Sequence, residues 1–132
     1  PPRRPAYANT MLDASLALHE DGANTDSKAW ALHLLGRDEE ALRWAERSVE
    51  SYGKTCSAGE QANFVEALAH RGMIHWSLKH RIEALNDWAR ADAATTAGGW
   101  TNIIPEWKSI KPLIKTRAEN LREEGFVETV CR

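Results

Sequence analysis

Three histidines, His70, His75 and His80, recur at intervals of five residues. This interval turns each imidazole by about 140° around a helix relative to the previous one. Zinc ligands that share one helix stand four positions apart, as in the H-E-x-x-H motif, and the chain lacks that spacing. The histidine pattern therefore predicts no metal site, and we expect neither a metal nor another cofactor.

One acidic residue, Glu66, stands four positions before His70 and can share a helix face with it. A lone Glu–His pair of this kind is typical of a structural or solvated contact. The sequence contains no P-loop, no glycine-rich dinucleotide turn and no G-x-S-x-G motif, so it offers no visible cradle for phosphate or acyl chemistry. We therefore expect no catalytic residues and a protein that is not an enzyme.

The two cysteines, Cys56 and Cys131, are far apart and belong to no C-x-x-C or other ligand spacing. A secreted disulfide scaffold of this size usually contains more cysteines. This count predicts two reduced thiols and a cytoplasmic location. The sequence also lacks a long apolar run, so we expect no signal peptide, no membrane anchor and no membrane partner.

The composition limits the class of protein. The chain has 132 residues, of which 42% are hydrophobic and 27% charged, which favours a single globular domain over disorder or a membrane span. Its net charge is −2, whereas duplex-DNA binders normally carry a clear basic surplus, so we expect no nucleic-acid partner. Alanine greatly outnumbers valine and isoleucine, and this bias favours helix.

Glycines and capping residues divide the N-terminal part of the chain into helices. Residues 1–5 form a predicted solvated tail, and residues 6–22 a predicted helix whose terminal glycine is its stop signal. Asp26 or Ser27 can cap the next helix, which ends at Gly36.

Further start and stop signals predict the following helices. Three carboxylates at residues 38–40 suit the first turn of a helix, because its free amides attract negative charge, and this helix is predicted to end at Gly53. Ser57-Ala-Gly-Glu60 has the pattern of a capping box and opens a long helix. A turn near Lys79-His80 leads into another helix, which Gly98-Gly99 ends.

The C-terminal stretch carries an apolar stripe with helical spacing from Asn102 to Gly125. Pro112 interrupts the stripe by removing one amide donor, which predicts a kink or a division into two helices. No segment alternates apolar and polar residues over the length of a strand. The sequence thus predicts an all-α fold of six to seven helices joined by short loops.

An internal repeat is visible when residues 36–48 are laid over residues 79–91. The tripeptide Glu-Ala-Leu matches outright and places Ala41 opposite Ala84. The preceding helices match more loosely at the same offset, 84 minus 41, or 43 residues. One register for both helices of each pair predicts two related helical hairpins.

In this region the chain resembles the tetratricopeptide repeat (TPR) family. Gly72 stands where the family has the glycine of its Leu-Gly pair, Ala84 at the small residue of the second helix, Trp88 at the large aromatic and Ala91 at the later small position. The chain departs from the family at Ala45, where an aromatic is expected, and in its offset, which exceeds the usual period of about 34 residues.

The resemblance implies a single domain over residues 1–132, a right-handed stack of antiparallel helix pairs. The pairs are expected at residues 25–53 and 58–97, with residues 101–125 as a divergent pair or a cap. It also implies a concave face that binds a peptide or protein segment. The family's ligand-contacting positions map onto Asp26, Trp30 and His33 in one unit and onto Ala69, Met73 and Trp76 in the other.

The predicted function is a non-enzymatic interaction scaffold, part of a larger regulatory protein. Lysines typical of family members that bind chaperone tails are missing from the strip, so that partner is not expected. Lys108, Lys111, Lys115 and Arg117 indicate a solvated basic face. Two alternatives stay open: a self-association module forming a homo-oligomer, or a small-ligand sensor or enzyme with a pocket near Trp30, His33 and Trp76.

Overall fold

The computed structural model describes residues 21–95, 98–126 and Cys131. These residues are helical and contain no strand, which confirms the all-α prediction for this part of the chain. None of their helices has both the length and the apolar character of a membrane span. They form five α-helices and two 3₁₀ turns: α1 (Gly22–Leu34), α2 (Asp38–Thr55), a turn at Ala58–Glu60, α3 (Gln61–Ser77), α4 (Arg81–Ala94), a turn at Gly99–Ile103 and α5 (Trp107–Glu123).

The helices pack as two hairpins and one further helix. Helix α1 packs on α2, and α3 packs on α4, each pair being joined by a short turn. Helix α3 also contacts both helices of the first hairpin, while α5 packs against α4. The Gly99–Ile103 turn lies against α3. Helix α3 therefore contacts α1, α2, α4 and the Gly99–Ile103 turn, and it can position side chains between them.

The two hairpin turns have the same hydrogen bonds at the predicted offset of 43 residues. The N–H of Arg37 donates to the carbonyl of Leu32 over 2.9 Å, and the N–H of His80 donates to the carbonyl of His75 over 2.8 Å. This six-to-one bond, with a left-handed residue just before its donor, is a Schellman motif. The two turns thus share their geometry at the predicted offset, and the predicted turn at Lys79-His80 is present.

The equivalent alanines Ala41 and Ala84 are both fully buried. The helix crossing differs between the hairpins. In the second hairpin a Cβ on Gly72 would lie 2.3 Å from Trp88 Nε1, so only glycine leaves room for the indole. The corresponding residues of the first hairpin are Ala29 and Ala45, both buried. The helix crossing of the second hairpin is thus packed with a glycine and a tryptophan, and that of the first hairpin with two alanines.

The start of α1 differs from the prediction. Gly22 is the first residue of this helix, and Asp21 caps the helix by accepting a 2.7 Å hydrogen bond from the N–H of Asn24. A Cβ on Gly22 would lie 2.8 Å from the ring of Tyr52. Glycine is therefore required here by close packing rather than by a turn. The predicted tail and the rest of the predicted helix at 6–22 lie outside the described residues.

Three other boundaries also differ. Asp26 and Ser27 lie inside α1 and do not cap it, because the helix begins at Gly22. Helix α2 runs past Gly53 to Thr55. Helix α4 ends at Ala94, before Gly98-Gly99. By contrast, the carboxylates of residues 38–40 occupy the first turn of α2, and the capping box of Ser57 and Glu60 is formed, as predicted.

Residues 98–126 contain one α-helix and a 3₁₀ turn rather than two α-helices. Pro112 lies inside α5 and is exposed, so it does not divide the helix. Water can reach the carbonyl that loses its usual amide donor, which explains why the helix tolerates the proline. The buried stripe of α5 consists of Ile110, Ile114 and Ala118.

Cys56 and Cys131 form a disulfide, with their Cα atoms 4.2 Å apart. The prediction of two reduced thiols is therefore wrong. Cys131 is buried in a cluster that includes Tyr52 and Phe64, at the end of α2 and the start of α3. A single bond is enough here because the helices already supply a core, so the low cysteine count was a poor guide to pairing.

Candidate functional site

A buried carboxylate–imidazole pair joins the two hairpins. Asp26 of α1 and His70 of α3 are 9% and 7% exposed, and Asp26 Oδ1 lies 2.8 Å from His70 Nδ1. An ionised carboxylate can only accept, so the Nδ1–H of His70 donates to Asp26. The pair therefore fixes the orientation of His70.

The second ring nitrogen of His70 is turned toward a solvent-exposed carboxylate. Its Nε2 lies 3.7 Å from Glu66 Oε1, one helical turn earlier on α3. The i, i+4 contact expected from the sequence is thus present, and Asp26 adds a second carboxylate from another helix. His70 links a buried acid to an exposed one.

Aromatic stacking holds this arrangement from the side of α1. The ring centroid of Trp30 lies 4.3 Å from that of His70, and the two rings are nearly parallel. The ring centroid of His33 lies 4.9 Å from that of Trp30. His33 in turn pairs with Asp38 at the start of α2, with 2.5 Å between Nδ1 and Oδ1. Trp30 therefore packs between two imidazoles that each have a carboxylate partner. Such a network leaves His70 little freedom to rotate.

A cavity of about 330 Å³ opens between α3 and the Gly99–Ile103 turn. Glu66, His70 and Thr95 supply polar side chains to its lining. The rest of its wall is mainly apolar and contains Ala62, Val65, Ala69, Trp100 and Ile103. The His70–Glu66 pair thus borders a space that a side chain or a small molecule could enter.

The aromatic wall of the cavity is held by the C-terminal part of the chain. Trp100 packs edge to face on Trp107, with ring centroids 5.2 Å apart, and also packs, partly buried, against two core clusters, one that includes Phe64 and one that includes Trp88. Its ring is therefore held in place before any ligand arrives. A preformed wall lowers the entropy lost on binding.

Tyr52 lies near Asp26 at the start of the first hairpin. Burial, followed by the negative charge of Asp26, raises the pKa of Tyr52 to about 12. Tyr52 packs against α1 at Gly22 and remains a neutral phenol at physiological pH.

The structure divides the six residues of the predicted concave strip. Asp26, Trp30 and His33 gather around His70, and they support that imidazole. Ala69 is fully buried but borders the cavity, and its carbonyl accepts the indole N–H of Trp88 over 3.2 Å.

The other two residues of the strip lie in a different cluster. Met73 and Trp76 pack, partly buried, against a group that includes Ile104 and Ile110. The ring centroids of Trp76 and Trp88 are 5.5 Å apart, and the Arg81 guanidinium lies 5.1 Å from the ring centroid of Trp76. Trp30 and Trp76 thus make separate contacts, and the segment after α4 covers part of the surface near Trp76.

Sequence reasoning missed His70 and Trp100 as central residues. The Glu66–His70 spacing was a visible signal, but its significance depends on Asp26, 44 positions away from His70. No local pattern links α1 to α3 at this position. Trp100 gave no signal beyond the high tryptophan content, because its place depends on how the chain folds back onto α3.

No protein-family model, curated protein or solved structure matches this chain. The geometry of the site therefore carries the functional argument alone.

Proposed function

We propose that this chain is a non-enzymatic interaction module that binds a protein segment by a basic side chain inserted into the cavity beside Trp100. The observation that carries the proposal is the combination of an apolar, aromatic wall with the Glu66 carboxylate at its polar side. A cavity of about 330 Å³ is at the small end of ligand pockets, which suits one anchor side chain.

The chemistry of the cavity favours lysine or arginine as the anchor. The methylenes of such a side chain can pack on Val65 and Ile103, while its cationic head approaches Glu66. The Trp100 ring can add a cation–π contact, worth about 0.5–2 kcal/mol. In its neutral form His70 presents an acceptor nitrogen on the same side. Every polar group named here accepts a hydrogen bond from a cation.

A TPR-like right-handed stack is the architecture we propose for this scaffold. The Schellman turns at one offset, the buried alanines Ala41 and Ala84, and the packing of α3 on both helices of the first hairpin support it. In this arrangement Asp26, Trp30 and His33 position His70, while Met73 and Trp76 support the segment that closes the cavity.

The disulfide bears on where such a module works. Disulfides persist in oxidising compartments and are rare in a reducing cytosol. We therefore replace the expected cytoplasmic location with a proposed oxidising compartment, on the strength of the Cys56–Cys131 bond. The partner segment is then one that is present in the same compartment.

A peptide library tests the proposal. Immobilised dodecapeptides with one fixed anchor position, carrying Lys, Arg, Leu or Glu, are probed with the full chain. We expect capture by the Lys and Arg sets, and loss of capture in Trp100→Ala and Glu66→Gln. Glu46→Gln is the matched control, because Glu46 is an exposed carboxylate on α2, outside the cavity lining.

Two results would overturn the proposal. Preferential capture of the Leu or Glu set would contradict a basic anchor. Binding of free arginine as tightly as of any peptide would show a small-ligand site instead. Sedimentation of the chain alone tests for self-association. If the chain forms an oligomer that Trp100→Ala dissociates, the cavity is a subunit interface and not a peptide site.

A further inference from the structure

Two imidazoles face each other across the turn of the second hairpin. The Nδ1 atoms of His75 and His80 are 3.0 Å apart, and the ring centroids are 5.2 Å apart. Glu83, in the first turn of α4, has a carboxylate oxygen within 4.8 Å of ligand atoms of both rings. The group lies apart from the cavity and from the Asp26–His70 pair.

The Schellman turn creates this contact. It places the third-last residue of a helix against the second residue beyond its cap, and these positions commonly hold two apolar side chains. Here they are His75 and His80, whose backbones are joined by the 2.8 Å hydrogen bond of the turn. A spacing of five residues does not bring two histidines together on one helix. It brings His75 and His80 together here because the chain reverses direction at Lys79.

The first hairpin shows what the same turn contains without this group. Its equivalent positions are Leu32 and Arg37, and the residue equivalent to Glu83 is Glu40. Arg37 forms a two-pronged ion pair with Glu40, at 3.0 and 2.7 Å. The second hairpin replaces the leucine and the arginine with imidazoles and keeps the carboxylate. The first turn thus contains an arginine paired with a glutamate, whereas the second turn contains three side chains of types that can ligate a metal.

The spacing of the two nitrogens suits a transition-metal ion. Ligand nitrogens at about 2.0–2.1 Å from a metal lie about 2.8–3.4 Å from each other for bond angles of 90–110°. The observed 3.0 Å falls within this range. Two histidines with one carboxylate are a known zinc ligand set.

The three side chains are accessible to an ion, and the positive charge beside them is largely compensated. His80 and Glu83 are exposed and His75 is half-buried, so the group is open to solvent. The nearby Arg71 guanidinium is already paired with Asp87, at 2.8 and 2.6 Å. Its charge is largely offset and does not exclude a cation from the turn.

We propose that His75, His80 and Glu83 form a binding site for a divalent late transition-metal ion such as Zn²⁺. Three protein ligands leave a fourth tetrahedral position for water or for a ligand from another molecule. The site does not depend on the function proposed for the cavity.

Calorimetric titration of the untagged full chain with Zn²⁺ alone tests this site. We expect His80→Arg to weaken binding at least about tenfold, and Glu83→Gln to weaken it measurably. The His80→Arg variant is expected to fold, because it reproduces the Arg37–Glu40 arrangement of the first hairpin. His70→Gln is the matched control from the other histidine cluster and is expected to bind Zn²⁺ as the wild type does.

A thermal melt of each variant provides the second readout. Zn²⁺ is expected to raise the melting temperature of the wild type and of His70→Gln, and to leave that of His80→Arg unchanged. Failure of the wild type to bind Zn²⁺ at millimolar concentration would overturn the proposal. Equal binding by His80→Arg, or a loss of binding confined to His70→Gln, would also overturn it.

Discussion

Gly36 and Lys79 occupy the same position in two turns that are 43 residues apart. Both have a left-handed backbone, with φ of 78° and 64°. Glycine adopts this conformation freely, whereas a residue with a Cβ is strained by about 1–2 kcal/mol. The second hairpin therefore keeps the turn of the first despite a residue that disfavours it, which shows how strongly the packing of the two helices determines the turn.

Lys79→Gly is expected to stabilise the protein by about 0.5–1 kcal/mol. The lysine side chain is exposed, so removing it relieves the backbone strain with little loss of packing. Gly36→Lys is the reciprocal variant and is expected to destabilise by about 1 kcal/mol or more. Urea unfolding followed by circular dichroism measures both. A destabilised Lys79→Gly protein would mean that the lysine makes contacts that outweigh the strain.

Gly72→Ala is expected to destabilise the protein by about 1–3 kcal/mol, because the new Cβ meets the Trp88 indole and forces it to move. Gly53→Ala makes the same chemical change on α2, where nothing lies within 4 Å of the new atom. That control is expected to stabilise by up to about 1 kcal/mol through helix propensity. Effects of the same sign in the two variants would contradict the close approach of α3 and α4 at Gly72.

His75 is expected to make the stability fall in acid. Burial lowers its pKa from 6.5 in the folded protein, Arg71 and His80 add to the effect, and Asp87 and Glu83 oppose it. The unfolded chain then binds the proton more readily, so the contribution of His75 is complete above about pH 6.5 and declines as the pH falls through the lower, folded pKa.

The His75→Leu variant isolates this contribution, because leucine is the equivalent residue, Leu32, of the first hairpin. Unfolding by urea is measured for both proteins, without metal, from about pH 8 to about pH 5. We expect the wild type to lose more stability than the variant over the acidic half of that range. Parallel curves would show that His75 does not titrate differently in the folded protein.

Replacing both Cys56 and Cys131 with serine is expected to destabilise the fold by about 2–5 kcal/mol. The disulfide closes a long loop, with 75 positions between its ends, and so restricts the unfolded chain. A reducing agent should lower the stability of the wild type by a similar amount and leave the serine variant unchanged. Wild-type protein with two titratable thiols before reduction would contradict the bond.

The helices were predictable from local signals, whereas the role of Gly22 was not. Gly36 acts through the conformation of its own backbone, and the carboxylates at the start of α2 act on the free amides of their own helix. The roles of both can therefore be deduced from the sequence. Gly22 has the pattern of a helix stop, but the structure places it at the start of α1, where it is needed for its contact with Tyr52, thirty positions later. A local pattern cannot distinguish conformational need from steric need.

The candidate site was less predictable, because each of its features joins distant parts of the chain. His70 acquires its role from Asp26 on another helix, and the cavity acquires its wall from Trp100 after α4. The repeat register did place Asp26, Trp30 and His33 on the helix that supports His70. The disulfide was missed because pairing depends on the distance between two cysteines in space, which their spacing in the sequence does not give.

A double-mutant cycle between Glu66 and the anchor of a captured peptide tests the basic-anchor account most directly. Lysine at the anchor is replaced by norleucine, which keeps the methylenes and removes the charge, and both peptides are titrated against wild type and Glu66→Gln. We predict that norleucine weakens binding to the wild type about tenfold and binding to Glu66→Gln little, a coupling near 1 kcal/mol. The same loss in both proteins would contradict a lysine anchor held by Glu66.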